Sequence, residues 1–244
     1  MRILETEAMM SVEEVMAYDA LVEKYLHILH AGFIETVINL SPEEGTFLDV
    51  GTGTGRISIG IAQQTKMVNI IALDLSPQML QVAQRNAELA GVADKIEFRL
   101  VDAKLIPFEA GTFDSVFCHN MLHHIPVPLT LADEMKRVTK QGGAIVIRDL
   151  IRHSPIIAEI HVLLFGAGYN QLMKKEYRDS ILAALSVEEW HDLFKSMRID
   201  GGELTRQFVT HMTIQKPSVA KRPSRLPLST GFTTSLLKRM YVSS

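Results

Sequence analysis

T-F-L-D-V-G-T-G-T-G-R, residues 46–56, reads as a short apolar strand running straight into glycines at alternate positions, Gly51, Gly53 and Gly55, with a helix pattern beginning at Ile57. Glycine lets the chain turn tightly and leaves no β-carbon between a ligand and the backbone. In an open parallel sheet such a turn lies at the carboxyl end of a strand, where ligands bind. A glycine-rich turn alone is a common loop, and the next strand adds the discriminating weight. Residues 68–73, V-N-I-I-A-L, end in Asp74, and an acidic residue at the tip of the second strand is placed to accept ribose hydroxyls. Ser76-Pro77 then reads as an N-cap and first-turn proline, and the helix it opens stops at Gly91.

The chain has 244 residues, 47% of them hydrophobic, enough for one sizeable domain. Cys118 is the single cysteine, which excludes an internal disulfide and fits a reducing compartment. The opening M-R-I-L-E-T-E-A lacks a cationic start followed by an apolar core, so no secretory signal is expected. No apolar run approaches a membrane span, and the richest, residues 156–168, is broken by Glu159 and His161. A cytoplasmic protein without an integral membrane segment is expected. Residues 217–244 hold five basic residues and no acidic one, which leaves an acidic body and argues against nucleic acid as a partner.

Residues 1–40 look helical. Ser11 and Glu14 have the spacing of a capping box, and Leu21, Tyr25, Leu29, Phe33 and Val37 recur on one helical face. They read as a helix pair on the sheet, with Met9, Met10 and Tyr18 as part of a lid. Further strands are expected at residues 95–101, 113–118 and 144–147, leading into Asp102-Ala103, His119-Asn120 and Arg148-Asp149. A helix opened by Pro128 is expected to end at Gly142-Gly143. Residues 150–185 form an apolar, helix-rich insertion, and Ser186 with Glu189 forms a second capping box. Residues 198–204 and 207–215 read as a closing strand pair. The sum is a doubly wound α/β domain over residues 41–216 with a mostly parallel seven-stranded sheet, followed by a basic flexible tail at 217–244.

Taken together, L-D-V-G-T-G-T-G, A-L-D-L-S-P-Q-M-L, V-D-A-K, F-D-S-V-F-C-H-N-M-L-H-H-I and Q-G-G-A-I-V-I-R-D resemble the class I S-adenosylmethionine-dependent methyltransferases, nearest to the small-molecule type with ubiquinone-biosynthesis-like motifs. Motifs carry the likeness over residues 46–149, and architecture alone extends it to about 216. The G-x-G-x-G spacing preceded by Asp49 departs from the G-x-G-x-x-G of nicotinamide-binding domains: an acidic residue there suits a cationic amine and opposes a pyrophosphate. The resemblance implies S-adenosyl-L-methionine as cofactor, with Asp49 near the methionine amine and Gly51, Gly53 and Gly55 behind the methionyl and ribose portion. Asp74 would hold the ribose hydroxyls, Leu75 the adenine face, Asp102 the adenine amine and the Ala103 backbone a ring nitrogen. His119 would pack by the cofactor, with its carbonyl or that of Asn120 near the amine.

The implied reaction is in-line displacement of a methyl group from a sulfonium onto a small-molecule acceptor, and positioning alone can supply about 7–11 kcal/mol of the barrier. A base is needed where the acceptor is a hydroxyl or a protonated amine. The candidates are His119, His123 and Asp149, with His124 and His153 nearby, although L-H-H-I equally reads as packing beside the cofactor. His119 and His123 are four apart, yet no cysteine or carboxylate cluster joins them, so no metal site is expected. The 150–185 insertion is expected to cover the acceptor. Arg148 and Arg178 would either hold an acceptor carboxylate or phosphate, or pair with Asp149, Asp179 or Glu176. Apolar residues of the insertion read as core or dimer surface, which leaves a homodimer open. Other chemistry on the same cofactor, such as carboxymethyl-cofactor formation, a non-catalytic cofactor-binding role and a nicotinamide-linked oxidoreductase are the competing readings.

Overall fold

In the computed structural model the described residues are 27–166, 168–207 and 209–221, with 2–4, 11, 12, 15, 16 and 19 near the N-terminus. Met9, Met10, Glu14, Tyr18, Leu21 and Tyr25 lie outside them, as does everything beyond 221. In chain order the elements are α1 (His27–Leu40), β1 (Glu44–Val50), α2 (Arg56–Gln64), β2 (Met67–Asp74), α3 (Pro77–Leu89), β3 (Ile96–Leu100), β4 (Phe113–His119), α4 (Pro128–Val138), β5 (Thr139–Leu150), α5 (Pro155–Phe165), α6 (Gln171–Ala183), α7 (Val187–Met197), β6 (Glu203–Gln207) and β7 (His211–Lys216).

The strands form one seven-stranded sheet in the order β3-β2-β1-β4-β5-β7-β6. The first five are parallel, and β7 runs antiparallel to both β5 and β6. The order reverses between β1 and β4, and that reversal opens a crevice at the carboxyl edge. Alternation along the strands sends side chains to two apolar layers. Phe47, Phe117 and Val146 meet Phe33, Val37 and Leu40 of α1 and Ile57 and Ile61 of α2. On the opposite face Leu48, Val50, Ile145 and Ile147 meet Leu131 and Met135 of α4 and Trp190, Leu193 and Met197 of α7. Ser76 caps α3 through the Met79 amide, and the Ser186–Glu189 capping box of α7 is complete in both directions.

Three expected boundaries move. β5 begins at Thr139, directly after α4, so Gly142 and Gly143 sit inside a strand with a register shift against β4 rather than ending the helix. The closing strands start later than expected, because Arg198 caps α7 with a left-handed backbone and the turn through Gly201 delays β6 to Glu203. Residues 217–221 are not free tail. Ser218 N–H donates to Leu40 O at 2.8 Å, Val219 N–H to Gly142 O at 2.9 Å, and Lys221 bridges Pro42.

Candidate active site

The glycine turn is stitched to the end of β2. Gly51 and Thr52 N–H both donate to Leu73 O, at 2.9 and 2.8 Å, and Gly53 N–H donates to Asp74 Oδ2 at 2.8 Å. The other Asp74 oxygen accepts Ser76 N–H at 2.9 Å, so one carboxylate ties the turn to the cap of α3. All three glycines have positive φ, which favours glycine for backbone reasons. Their bare faces point differently. A β-carbon at Gly51 would meet Met121 Cγ at 2.4 Å, and one at Gly55 would meet Ala83 Cβ at 3.1 Å. One at Gly53 would meet nothing within 4 Å. Gly53 alone therefore presents open backbone, while Gly55 packs against α3 and β3.

Asp49, one residue before the end of β1, is 2% exposed. Its Oδ2 accepts the hydroxyls of Thr52 at 2.8 Å and Ser58 at 2.7 Å. Burial pushes its pKa up to about 6 against the pull of those two hydroxyls, and Asp74 nearby adds to the rise. Burial also raises Asp74, against its backbone donors. Leu75 is exposed beside them. Asp102 lies just past β3, exposed, its Oδ1 accepting Lys104 N–H at 2.9 Å and its Oδ2 3.2 Å from Lys104 Nζ, with Ala103 buried next to it. The three aspartates thus lie at or near the carboxyl ends of three neighbouring strands.

The candidate bases divide between the two faces of the sheet. His119 ends β4 on the α1 side, its ring 4.6 Å from Phe33, 5.4 Å from His30 and 6.2 Å from His211. Burial holds it well below the usual histidine range, helped by the neighbouring His30 and His211, so it is neutral. His123 lies on the other side, in the short turn Leu122–His124. Its Nδ1 is 2.7 Å from Asp149 Oδ1, and its N–H donates to Asp149 Oδ2 at 3.0 Å. Both side chains are buried, and His123 together with the backbone donors keeps Asp149 below the usual carboxylate range despite the burial. His124 is pushed down to about 4 by burial. His153 is half-buried, 2.9 Å from Val209 O, with its ring tilted against that of His161 at 4.6 Å. His119 and His123 do not converge, and among the described residues no group of three or more His, Cys, Asp or Glu is placed to hold a metal ion.

Residues 42–197 match the family description "Methyltransferase domain". The chain belongs to the class I S-adenosylmethionine-dependent methyltransferases. It is 32% identical over 168 residues to a ubiquinone biosynthesis O-methyltransferase of Xanthomonas axonopodis, covering 66% of this chain and 67% of that protein. It is 28% identical over 168 residues to a ubiquinone/menaquinone biosynthesis C-methyltransferase of a Geobacter species, covering 65% and 70%. The crystal structure of a SAM-dependent methyltransferase from Aquifex aeolicus superposes with a TM-score of 0.61 at 17% identity over 86% of this chain and all of that one, a likeness of fold. One relative is named for methylating carbon and the other for methylating oxygen, at similar identity. No helix among the described residues is long and apolar enough to cross a membrane.

Several groups of this methyltransferase site carry no sequence signature. Asn120 has a left-handed backbone, and its buried side-chain Oδ1 meets no donor. Arg2 reaches across the fold to donate to Ala183 O, Leu122 O and His123 O, at 2.5, 3.2 and 2.7 Å, and so braces the turn that carries His123. Asp19 grips Arg56 at the start of α2 at 2.8 and 2.6 Å, and Asn86 links it to Thr54 O in the glycine turn. The Arg2 and Asp19 contacts join residues far apart in sequence, which local spacing does not encode.

Proposed function

We propose that this methyltransferase moves a methyl group from S-adenosylmethionine to a small-molecule acceptor, releasing S-adenosylhomocysteine. The observation that carries the reading is the open backbone of Gly53 between the buried carboxylate of Asp49 and the half-buried one of Asp74. Three features of the site fit that cofactor. A β-carbon at Gly53 would fill space left empty, Asn120 Oδ1 is a buried acceptor lacking a donor, and Asp49 stands in an environment that a neighbouring cation would relieve. When bound, S-adenosylmethionine supplies a methyl carbon activated by a positively charged sulfur.

The chain's part is binding, alignment and proton removal. Asp74 has lone pairs left beyond its two backbone donors, and these receive the ribose hydroxyls. Asp49, with its Thr52 and Ser58 hydroxyls, and Asn120 take the ammonium end; Gly51 and Gly55 shape the turn. Leu75 lines the adenine face, and Asp102 with the Ala103 backbone receives the adenine edge. On the acceptor, His123 acts as base, and Asp149 against its Nδ1 orients the imidazole and stabilises its protonated form. His119, neutral and packed on Phe33, is wall rather than base. The α5–α6 insertion covers the acceptor, and the N-terminal segment, docked through Asp19, serves as lid. Cytoplasmic residence belongs to the same reading and is supported by the single buried thiol, Cys118.

Calorimetry with S-adenosylmethionine tests the cofactor half. Binding is expected, and Asp74→Ala should weaken it by about tenfold or more, since hydrogen bonds to a charged group are worth about 1.5–3 kcal/mol. Absence of heat with the wild-type chain defeats the reading. His123→Asn should leave that affinity intact while lowering kcat by roughly 10²-fold or more on any hydroxyl acceptor found by panel screening.

A further inference from the structure

Arg148 is the one buried arginine among the described residues, and it has no carboxylate partner there. It lies on β5, facing α1. Its Nε donates to Thr213 Oγ1 at 3.0 Å, its Nη2 donates to Thr36 Oγ1 at 3.2 Å, and its guanidinium carbon lies 4.9 Å over the Phe33 ring. Its Nη1 donates to no described residue. Every half-buried arginine elsewhere is matched: Arg56 by Asp19, Arg99 by Glu97, Arg137 by Glu134, Arg152 by Glu189 and Arg178 by Glu159, while Arg2 rests on backbone carbonyls. Of the two arginines that the sequence offered as anion holders, Arg178 is thus engaged by an acid. Asp149, next to Arg148 in sequence, points to the opposite face and is taken by His123.

A cation buried among neutral groups costs free energy unless something of opposite charge joins it. Burial lowers the Arg148 pKa to about 10, which still leaves it charged at neutral pH. Around it stand His119 and His211, the latter pushed down to about 4 by burial and by Arg148 itself, so both are neutral. Phe33 supplies an apolar face beside the guanidinium. The group is at the carboxyl edge, since Asn120 N–H donates to Arg148 O at 2.9 Å and Asn120 follows β4 directly.

We propose that Arg148, walled by His119, His211 and Phe33, is the anchor for a carboxylate carried by the methyl acceptor. A single fixed positive charge among neutral imidazoles balances a monoanion. A phosphate dianion would leave one negative charge uncompensated in a buried site, and a neutral acceptor would leave Arg148 as it stands. This assignment rests on the methyl-transfer reading and names its substrate class.

The test uses the full chain saturated with S-adenosylhomocysteine, titrated with benzoate, benzamide and phenyl phosphate and followed by calorimetry and ligand-observed NMR. Benzoate is expected to bind about tenfold or more tighter than benzamide, the scale of one charge-assisted bidentate contact. Phenyl phosphate should bind no better than benzoate. Arg148→Met should erase the preference for benzoate, and Arg148→Lys should retain part of it, with S-adenosylhomocysteine affinity within about twofold in both. Equal binding of benzoate and benzamide to the wild type, no benzoate binding at all, or tighter binding of the phosphate overturns the proposal without needing either variant to fold. A collapse of S-adenosylhomocysteine affinity in Arg148→Met also overturns it, by assigning the arginine to the cofactor's own carboxylate. Failure of the wild type to bind S-adenosylhomocysteine would instead remove the methyl-transfer reading on which it rests.

Discussion

At the scale of single residues, the site is built from groups kept in states they would not choose alone. Asp49 holds its proton up to about pH 6 in the folded chain, whereas an unfolded aspartate releases it near about 3.9. Between those values the folded state binds the extra proton, so stability attributable to Asp49 falls as pH rises through this window and stays lower above it. The difference between Asp49→Asn and wild-type stability should therefore grow with pH, by ~3 kcal/mol at most between about pH 4 and 7. Parallel denaturant melts of the ligand-free proteins check this, and a flat difference would mean that the carboxylate is not under burial strain. Gly53 makes the complementary case. Gly53→Ala should cost only about 1–2 kcal/mol of stability, the backbone penalty of a left-handed residue, because no atom stands in the way. Cofactor affinity should nevertheless drop about tenfold or more, or about 1.4 kcal/mol. The sequence made these positions legible because strand ends and glycine spacing are local. That Gly55 serves packing while Gly53 keeps its face open was not legible, since the difference lies in what each bare face meets.

At the scale of elements, capping chemistry was readable and strand ends were less so. Ser76 and Ser186 each start a helix where their residue types predict, because the cap is satisfied within a turn of its own position, and Pro128 starts one because its fixed φ suits the first helical turn. The start of β5 was missed because Gly142-Gly143 look like a helix stop but form a strand irregularity that only pairing with β4 defines. The turn Leu122–His124 is an element of the same sort. It is one turn long, it carries His123, and its outward carbonyls are held by Arg2. Arg2→Ala should leave those carbonyls to solvent and loosen the turn. Amide hydrogen exchange at His124 and Ile125, whose N–H groups donate to Met121 O and Leu122 O, should speed up, while Gly51 and Thr52, bonded to Leu73 O of β2, keep their protection. Unchanged exchange at His124 and Ile125 would show that the turn holds itself.

At the scale of the whole molecule, the parallel half of the sheet carries the positions proposed for the cofactor, and the antiparallel half lies on the side proposed for the acceptor. Asp49, Asp74, Asp102 and Asn120 all lie within two residues of the carboxyl ends of strands of the parallel half, whereas Thr213 and His211 reach Arg148 and His119 from β7. The chain then turns back to the far edge: Lys216 Nζ donates to Gly143 O at 2.7 Å, and residues 218–221 tie α1, the β1 approach and β5 together. Among the described residues the fold therefore runs on to 221, past 216 where composition alone ends it, since a few backbone hydrogen bonds leave no trace in residue type. A chain ending at 221 should match the full chain in melting temperature and in S-adenosylmethionine affinity. One ending at 216 loses the Ser218 and Val219 hydrogen bonds and the Lys221 bridge, and should be less stable by about 1–3 kcal/mol. Its cofactor affinity should stay unchanged, because those contacts lie at the amino end of β1 and the Gly142 irregularity, across the sheet from Gly53. Denaturant midpoints and calorimetry on the two truncations separate the outcomes: equal stability would return residues 217–221 to the tail, and a loss of affinity in the 221 chain would bring residues beyond it into the cofactor site.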